Sequence, residues 1–317
     1  MIGNVPLRGE GPARRPDGPH TPPRTPAAAR LRALAAPLMA LPCVALLLLF
    51  AYWPLARGVV LSLYGTDLLG NPSRFVGFAH YAAIVTDPDT RRALLATGAI
   101  AGLSVVLSVG GALAAALPLR RAARGPRAVV SLLLSLPFAY SAAAASAVFA
   151  GLLAPAVGTL NQVLAHLGVV GPGWLQSPVW AVISIALATA WYEFGFAFLV
   201  LLAALTQLDR SVVEAAALDG ASGLRLARSV IVPMLRPSLV FLLVTQTISG
   251  LQVFTQVQVL TRGGPSGATS TLVYELYQRA FGEALPRIGA ASALAVVLLA
   301  LVLAITAIQF RVVRRWA

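Results

Sequence analysis

The sequence predicts an all-α membrane protein that crosses the bilayer six times. Of its 317 residues, 58% are hydrophobic and 11% are charged, whereas an ordinary soluble domain is about 25% charged. One soluble core cannot bury so much apolar surface, but lipid-facing helices do not need to bury it. Six apolar runs are each compatible with the roughly 20 residues that a span requires. They lie at about 33–56, 93–118, 128–152, 178–204, 237–260 and 288–311.

Residues 1–32 precede the first run and are rich in Pro, Gly and Arg, without apolar periodicity. We expect a disordered basic tail. It does not read as a signal peptide, because the charged stretch is long and broken by proline and the run that follows is long enough to span. The predicted organisation is therefore a tail, 1–32, and a six-span domain, 33–317.

Four prolines lie in or near the predicted spans: Pro37, Pro42, Pro54 and Pro137. Each would disrupt a soluble helix, but neighbouring helices and polar side chains accommodate proline in membrane spans. We expect kinks at these positions.

The positions of the basic residues predict the orientation. All 24 are arginine, with six in the tail, four in 120–127, four in 206–237 and three at the C-terminal end, against seven on the opposite side. Because basic residues favour the cytoplasmic side, both termini should be cytoplasmic. The absence of lysine indicates a GC-rich genome, and the arginines sit in short loops beside hydrophobic runs, so we expect no nucleic-acid partner.

The most informative segment is the loop between spans four and five, residues 206–237. It reads EAAALDGASGLRLARSVIVPMLRP from Glu214 to Pro237 and is too polar to cross the membrane. Asp209 is a candidate helix N-cap, and Asp219-Gly220 is a turn signal. The pattern predicts two short helices separated by a break at the glycine.

This segment resembles the EAA loop of binding-protein-dependent ABC importer permeases, in the form found in the sugar-uptake branch. The resemblance implies a type I importer permease fold, in which the loop docks in a cleft of a separate ATPase subunit and couples nucleotide-driven closure to the membrane helices. The residues that it assigns to coupling are Glu214, Ala215, Ala216, Asp219, Gly220, Ala221, Leu226 and Pro233. We call residues 206–237 the EAA loop. The alternative is an Ala-rich amphipathic linker.

The loop departs from the family pattern at two positions. An aromatic residue is usual where Ala227 stands, and Trp is frequent where Leu224 stands, so the docking side chain is smaller here. Leu226 is expected to substitute in part. Weaker resemblances to the family extend over roughly residues 75–300.

Span five carries a polar stripe, which we define as Thr245, Ser249, Gln252 and Gln256. Spacings of four, three and four place these residues near one face of a continuous helix. Polar side chains in hydrocarbon usually face protein or a water-filled cavity. The stripe therefore marks either the substrate path, which the resemblance also places on this helix, or hydrogen bonds between helices.

Glu193 is the only acidic residue deep in a predicted span, and Trp191, Tyr192 and Phe194 surround it in the sequence. A carboxylate accepts hydrogen bonds from sugar hydroxyls, and an aromatic ring packs on the C–H face of a sugar. Glu193 is therefore a candidate substrate contact. An internal hydrogen bond that fixes span four to a neighbour is the alternative.

The resemblance implies a permease subunit for a sugar or polyol in a bacterial cell membrane. Its implied partners are two ATPase subunits, a second, related permease chain, an external solute-binding protein and the lipid bilayer. The chain is not expected to be an enzyme, because a nucleotide-binding P-loop requires lysine and the sequence contains none.

Two other functions remain open, a secondary transporter and an ABC permease for a non-sugar solute. A secondary transporter would more often carry ionisable residues in several spans and internal repeats. An intramembrane hydrolase is disfavoured because no predicted span contains histidine. We expect no cofactor and no metal, because His20, His80 and His166 fall in three separate loops or tails and Cys43 is the only cysteine.

Overall fold

The computed structural model describes residues 39–67, 71–120, 122–155, 157–282 and 286–314. The predicted tail, 1–32, and the start of predicted span one lie outside these residues. The chain divides into two compact units, Met1–Leu55 and Ala56–Ala317.

The described residues are mainly helical, as predicted. Four helices are long and apolar enough to cross a membrane: Met39–Leu61, Pro88–Leu119, Pro178–Thr206 and Ile288–Arg314. Two bent helix pairs meet the same criteria, Arg124–Ala139 with Ala142–Leu152 and Gly223–Met234 with Arg236–Leu251. Counting each bent pair as one span gives six, the predicted number, and we number the spans in chain order. Because Gly223–Met234 lies within residues 206–237, span five here means the helix Arg236–Leu251.

Span one contains a π-helical turn, Leu48–Tyr52, which ends two residues before Pro54. The proline ring clashes with the carbonyl four residues earlier in a regular helix, and that residue lies inside the π turn. The wider turn therefore explains how the helix continues to Leu61. The side chains of residues 39–55 are exposed, which suits a helix that faces lipid.

Span three was predicted as one run, 128–152, but it is two helices bent by 99°. Pro137 removes a hydrogen bond near the end of the first helix. The second begins after Ser141, whose hydroxyl accepts a hydrogen bond from the Ala144 N–H at 3.1 Å. Proline and the N-cap together produce the bend.

Span five was predicted as one helix, 237–260, and this prediction is wrong. The helix Arg236–Leu251 ends with Gln252 as its C-cap, and a separate short helix, Thr255–Leu260, follows. The Thr271 hydroxyl donates a hydrogen bond at 2.8 Å to the Val253 carbonyl in the break. That bond satisfies a backbone group that a continuous helix would have paired.

Shorter elements connect the spans. Strands β1, Tyr64–Thr66, and β2, Pro72–Phe75, form an antiparallel hairpin. The connecting helices are Ala79–Thr86, Thr159–His166, Arg210–Leu218 and Leu272–Tyr277, and a π-helical turn, Gln278–Gly282, follows the last. His80 and His166 thus lie in short helices rather than loops. Among the described residues, no three or more His, Cys, Asp or Glu side chains are grouped so that they could hold a metal ion.

Spans two, four and five pack around one core cluster, centred on the buried side chains of Phe198 and Leu201. Small residues let the backbones approach. A Cβ on Gly250 of span five would lie 3.0 Å from the Ala101 Cα of span two. Close approach at small residues is typical of helix packing in membranes.

Cavities mark two ends of this bundle. Arg120, Arg127, Thr206 and Glu214 line one cavity, so spans two and four finish at the same end, beside the EAA loop. The second cavity is lined by Asp87, Glu275 and Arg287. It lies beside the first residues of spans two and six. We call these the loop end and the opposite end.

Candidate functional site

The EAA loop folds as predicted into two short helices with a glycine break. Asp209 caps the first helix, Arg210–Leu218, by accepting a hydrogen bond from the Ser211 N–H at 2.9 Å. The Ser211 hydroxyl and N–H both donate to this carboxylate and lower the pKa of Asp209. Gly220 has φ +83°, a conformation that side-chain-bearing residues rarely adopt. The second helix begins at Gly223.

The tip of the EAA loop is open to a partner. Glu214, Ala215, Asp219 and Gly220 are exposed. A Cβ on Gly220 would meet no atom of this chain within 4 Å. Two leucines beside the break are also exposed, Leu218 by 89% and Leu224 by 79%.

Leu226 does not occupy the position expected of a docking residue. Its side chain is 3% exposed and belongs to the core cluster that contains Phe198 and Leu205. The expectation that Leu226 substitutes for the missing aromatic residue is therefore wrong. Leu224, two residues earlier, points to the surface and is available for contact.

The base of the EAA loop is anchored in the membrane domain. Ile231 and Leu235 are buried in the same cluster as Leu226, while Ala216 and Ala221 pack against its edge. Pro233 is half-buried just before the 73° bend that leads into span five. The base of the loop therefore packs directly against spans two, four and five.

Glu193 lies in the middle of span four and faces span five. Its backbone carbonyl accepts a hydrogen bond from the Gln246 side-chain amide at 3.2 Å. Its carboxylate lies near the Ser249 hydroxyl and the Gln246 side chain. Of the predicted path residues, the structure thus brings Glu193 and Ser249 together. Sequence reasoning missed Gln246, although an amide in an apolar helix is itself a signal.

The rest of the polar stripe does not form one face, because the helix ends at Leu251. Gln252 is exposed at the C-cap, three residues after Ser249. Gln256 lies on the following short helix and is 5% exposed. The Thr245 hydroxyl bonds to carbonyls of its own helix, at Phe241 and Leu242. Of the predicted path residues, Ser249 and Gln252 are exposed, Glu193 and Thr245 are half-buried, and Gln256 is buried.

The aromatic residues next to Glu193 contact other aromatic residues. The Trp191 ring lies 5.7 Å from the Phe149 ring and 6.1 Å from the Tyr140 ring, both on span three or at its bend. Phe194 stacks on Phe198 within span four. The Trp191 contacts join span four to span three, whereas the Phe194–Phe198 pair lies within one helix.

A network of charged residues at the opposite end was not predicted. We define the Arg279 network as Asp87, Thr90, Glu275 and Arg279. The buried Arg279 guanidinium donates to Asp87 at 2.6 Å, to Thr90 at 2.7 Å and to Glu275 at 3.0 Å. These contacts join the start of span two to the segment before span six.

Asp87 is held as a carboxylate by this network. Burial by itself raises the pKa of Asp87. Hydrogen bonds from the Asp89 N–H, the Thr90 hydroxyl and the Arg279 guanidinium, with its charge, outweigh that effect and lower the pKa below its ordinary value. The Asp87-Pro88 sequence predicts a helix start. It does not predict the ion pair, because Arg279 is 192 residues away in the sequence.

Comparisons with known proteins agree with this architecture. A family model described as "Binding-protein-dependent transport system inner membrane component" matches residues 26–317. The sn-glycerol-3-phosphate transport system permease protein UgpA of Agrobacterium fabrum is 32% identical over 279 residues, which cover 88% of this chain and 94% of that protein. The sulfoquinovosyl glycerol transport system permease protein SmoG of the same organism is 35% identical over 286 residues, which cover 89% and 91%.

The fold also matches a solved structure, a bacterial alginate ABC transporter in complex with alginate pentasaccharide-bound periplasmic protein. The TM-score is 0.78 at 23% identity, and the match covers 90% of this chain and 96% of that chain. At this identity the likeness concerns the fold alone.

Proposed function

Because this chain belongs to the family of binding-protein-dependent transport system inner membrane components, we propose that it is the permease subunit of an ABC importer for a sugar or related polyol. The names of the two relatives, which refer to glycerol 3-phosphate and a sulfoquinovosyl glycerol, support a solute of this class. The observation that carries the proposal is the EAA loop, with an exposed tip at Gly220 and a base buried in the membrane core.

The EAA loop is the coupling element in this proposal. Glu214 and Asp219 offer exposed hydrogen-bond acceptors, while Leu218 and Leu224 offer apolar contact area. The small side chains of Ala215 and Ala216, with Gly220 and its open surroundings, permit close approach of an ATPase surface. The buried base passes the movement of that surface to spans two, four and five.

The solute passes beside Glu193 and span five. Glu193, Ser249 and Gln252 supply a carboxylate, a hydroxyl and an amide at or near the exposed side of spans four and five. We place Thr245 at the edge of this path, because it is half-buried one turn before Ser249. We place Gln256 in packing, because its side chain is buried.

The proposed complex holds this chain, a second permease, two ATPase subunits and an external solute-binding protein. The chain itself does not hydrolyse ATP, since it has no lysine for a P-loop. The loop end is cytoplasmic, and so are both termini, because the arginines concentrate on that side. ATPase docking at the EAA loop would place the loop end in the cytoplasm independently of the arginine distribution.

The decisive experiment compares Gly220→Val with Gly168→Val in the reconstituted complex. Both glycines have positive φ, +83° and +73°, and at both an added Cβ meets no atom within 4 Å. A β-branched residue costs roughly 1–3 kcal/mol of backbone strain at either position. Only Gly220 lies in the EAA loop.

We expect Gly220→Val to reduce binding of the ATPase subunits, and with it ATP-driven uptake, at least about tenfold, while the permease still assembles in the membrane. Gly168→Val should retain ATPase binding. Binding is measured with purified subunits, and uptake with vesicles that hold the complete complex. Equal ATPase binding by wild type and both variants would show that the EAA loop is not the coupling element.

A further inference from the structure

An apolar groove lies at the loop end, between the first residues of span five and the last residues of span six. Its volume is about 750 Å³, and eight of its nine lining residues are apolar. We call it the loop-end groove. Its apolar walls include Met234, Leu239, Val240, Leu243, Val312 and Val313.

The loop-end groove is open on the outer side of these two spans. Leu243 is 39% exposed and Val312 is 50% exposed, whereas Leu239 is half-buried and packs against the core cluster. From Arg236 to Leu243 the helix of span five rises about 10 Å. Atoms that line an empty groove lose packing contacts, so hydrocarbon chains or another protein must fill this groove in the membrane.

The end of the groove nearest the EAA loop is basic. Arg236 is the charged member of its lining, and Arg311 and Arg314 adjoin Val312 and Val313 in the last turn of span six. All three arginines are exposed. The ion pairs found among the described residues include neither Arg311 nor Arg314. The groove therefore has apolar walls and a positively charged rim.

This order of features matches a phospholipid, in which a charged headgroup is followed by acyl chains. A protein in the groove would bury guanidinium groups at the rim and would have to supply acceptors for them, because a buried unpaired charge is costly. A lipid phosphate instead accepts charge-assisted hydrogen bonds from arginines that remain at the membrane–water boundary. The helix dipole favours Arg311 and Arg314 at a helix end but disfavours Arg236 in a first turn, so it does not account for the whole rim.

We propose that the loop-end groove binds an anionic phospholipid of the adjoining leaflet, with its phosphate at the arginines and one acyl chain along the apolar walls. Basic pockets between membrane helices bind anionic headgroups in this way. Pro233 and Met234 also line the groove, so the lipid contacts the junction between the EAA loop and span five. The inference goes beyond the proposed function, because it requires neither a particular solute nor an ATPase.

The test identifies the lipids that the purified permease complex retains after extraction from nanodiscs. The nanodiscs hold equal amounts of phosphatidylglycerol and phosphatidylcholine with the same acyl chains, and native mass spectrometry counts each retained lipid. Arg236→Gln and Arg314→Gln remove charge from the rim. Arg127→Gln is the matched control, because Arg127 also lies at the loop end but lines a different cavity. A photoreactive group on the acyl chain of phosphatidylglycerol locates the bound lipid by peptide mapping.

We expect wild type to retain phosphatidylglycerol over phosphatidylcholine at least about tenfold. Each rim variant should lower this preference about fivefold, since each basic residue near a membrane surface attracts anionic lipid by about this factor. Arg127→Gln should keep the preference within about twofold of wild type. The acyl chain should cross-link to residues 239–243 or 312–313 of this chain.

Equal retention of the two lipids by wild type would overturn the site. So would an equal loss of preference in Arg127→Gln and Arg236→Gln, because the general positive charge of the loop end would then explain the binding. Cross-links confined to the second permease or to other helices of this chain would place the lipid elsewhere and would also overturn it. The readouts involve neither ATPase binding nor solute uptake, so the proposed function and the lipid site fail separately.

Discussion

The Arg279 network and the tip of the EAA loop both carry charged side chains, but they use them differently. The Arg279 guanidinium is 8% exposed and donates hydrogen bonds to three side chains of its own chain. At the EAA tip, Glu214 and Asp219 are exposed, and two leucines beside them are more than three-quarters exposed. The first region holds the chain together, whereas the second offers its contacts to another protein. The same kind of substitution should therefore reduce stability in one region and binding in the other.

The largest effect is expected at the Arg279 network. Arg279→Leu leaves the Asp87 and Glu275 carboxylates, both mostly buried, without their guanidinium partner. Removal of one member of a buried ion pair costs about 3–5 kcal/mol, because the remaining charge stays desolvated. Unfolding of the purified permease complex, followed in lipid nanodiscs, measures the loss.

Arg92→Leu is the matched control for this substitution. Arg92 pairs with Asp89 at 3.1 Å, but both side chains are more than half exposed. An exposed ion pair contributes about 0–1 kcal/mol. Equal destabilisation by the two substitutions would contradict the view that burial gives the Arg279 network its importance.

The two regions also differ in what the sequence reveals. The EAA loop was predictable because its signals are local. The Asp209 carboxylate caps the helix by accepting a hydrogen bond from the N–H of Ser211, two positions later. Gly220 adopts a positive φ because it has no side chain. Hydropathy likewise predicts the number of spans, because each apolar run must match the bilayer.

The remaining features depend on contacts between distant residues. Arg279 meets Asp87 across 192 positions. In the break after the helix of span five, the Val253 carbonyl accepts a hydrogen bond from the hydroxyl of Thr271, 18 positions later. Leu226 and Leu224 are the same residue type two positions apart, and only the packing of spans two and four decides which one is buried. Periodicity assumes a continuous helix, so it cannot detect such breaks.

A second prediction sharpens the comparison at the EAA tip. Leu218→Ala and Leu224→Ala should each change the free energy of unfolding by no more than about 0.5 kcal/mol, as is usual for exposed positions. Each should weaken ATPase binding by about 1–2 kcal/mol, because apolar contacts at an interface carry binding energy. Titration of the permease with purified ATPase subunits measures the affinity.

Val170→Ala serves as the control for the leucine variants, since Val170 is 95% exposed and lies outside the EAA loop. It should leave ATPase affinity unchanged. If the leucine variants lose stability instead of affinity, the tip packs within its own chain and the contrast between the two regions disappears.

The smallest predicted effect compares two carboxylates whose pKa values are both lowered. Asp209 bonds only to Ser211 in its own helix, whereas Asp87 bonds to Arg279 across the chain. Because the folded-state pKa of Asp87 is lower than its unfolded value of about 3.9, the unfolded chain takes up the proton first as the pH falls. The stability from Asp87 is therefore fully present well above pH 3.9 and is lost as the pH falls through the folded-state pKa. Between pH 6 and pH 3, the free energy of unfolding of Asp87→Asn should fall by about 1 kcal/mol less than that of wild type. The pH dependence of Asp209→Asn should be closer to that of wild type, because this substitution removes only an exposed carboxylate with local contacts. Unfolding midpoints across this range provide the measurement, and identical pH dependence of wild type and Asp87→Asn would remove Asp87 from the charged network.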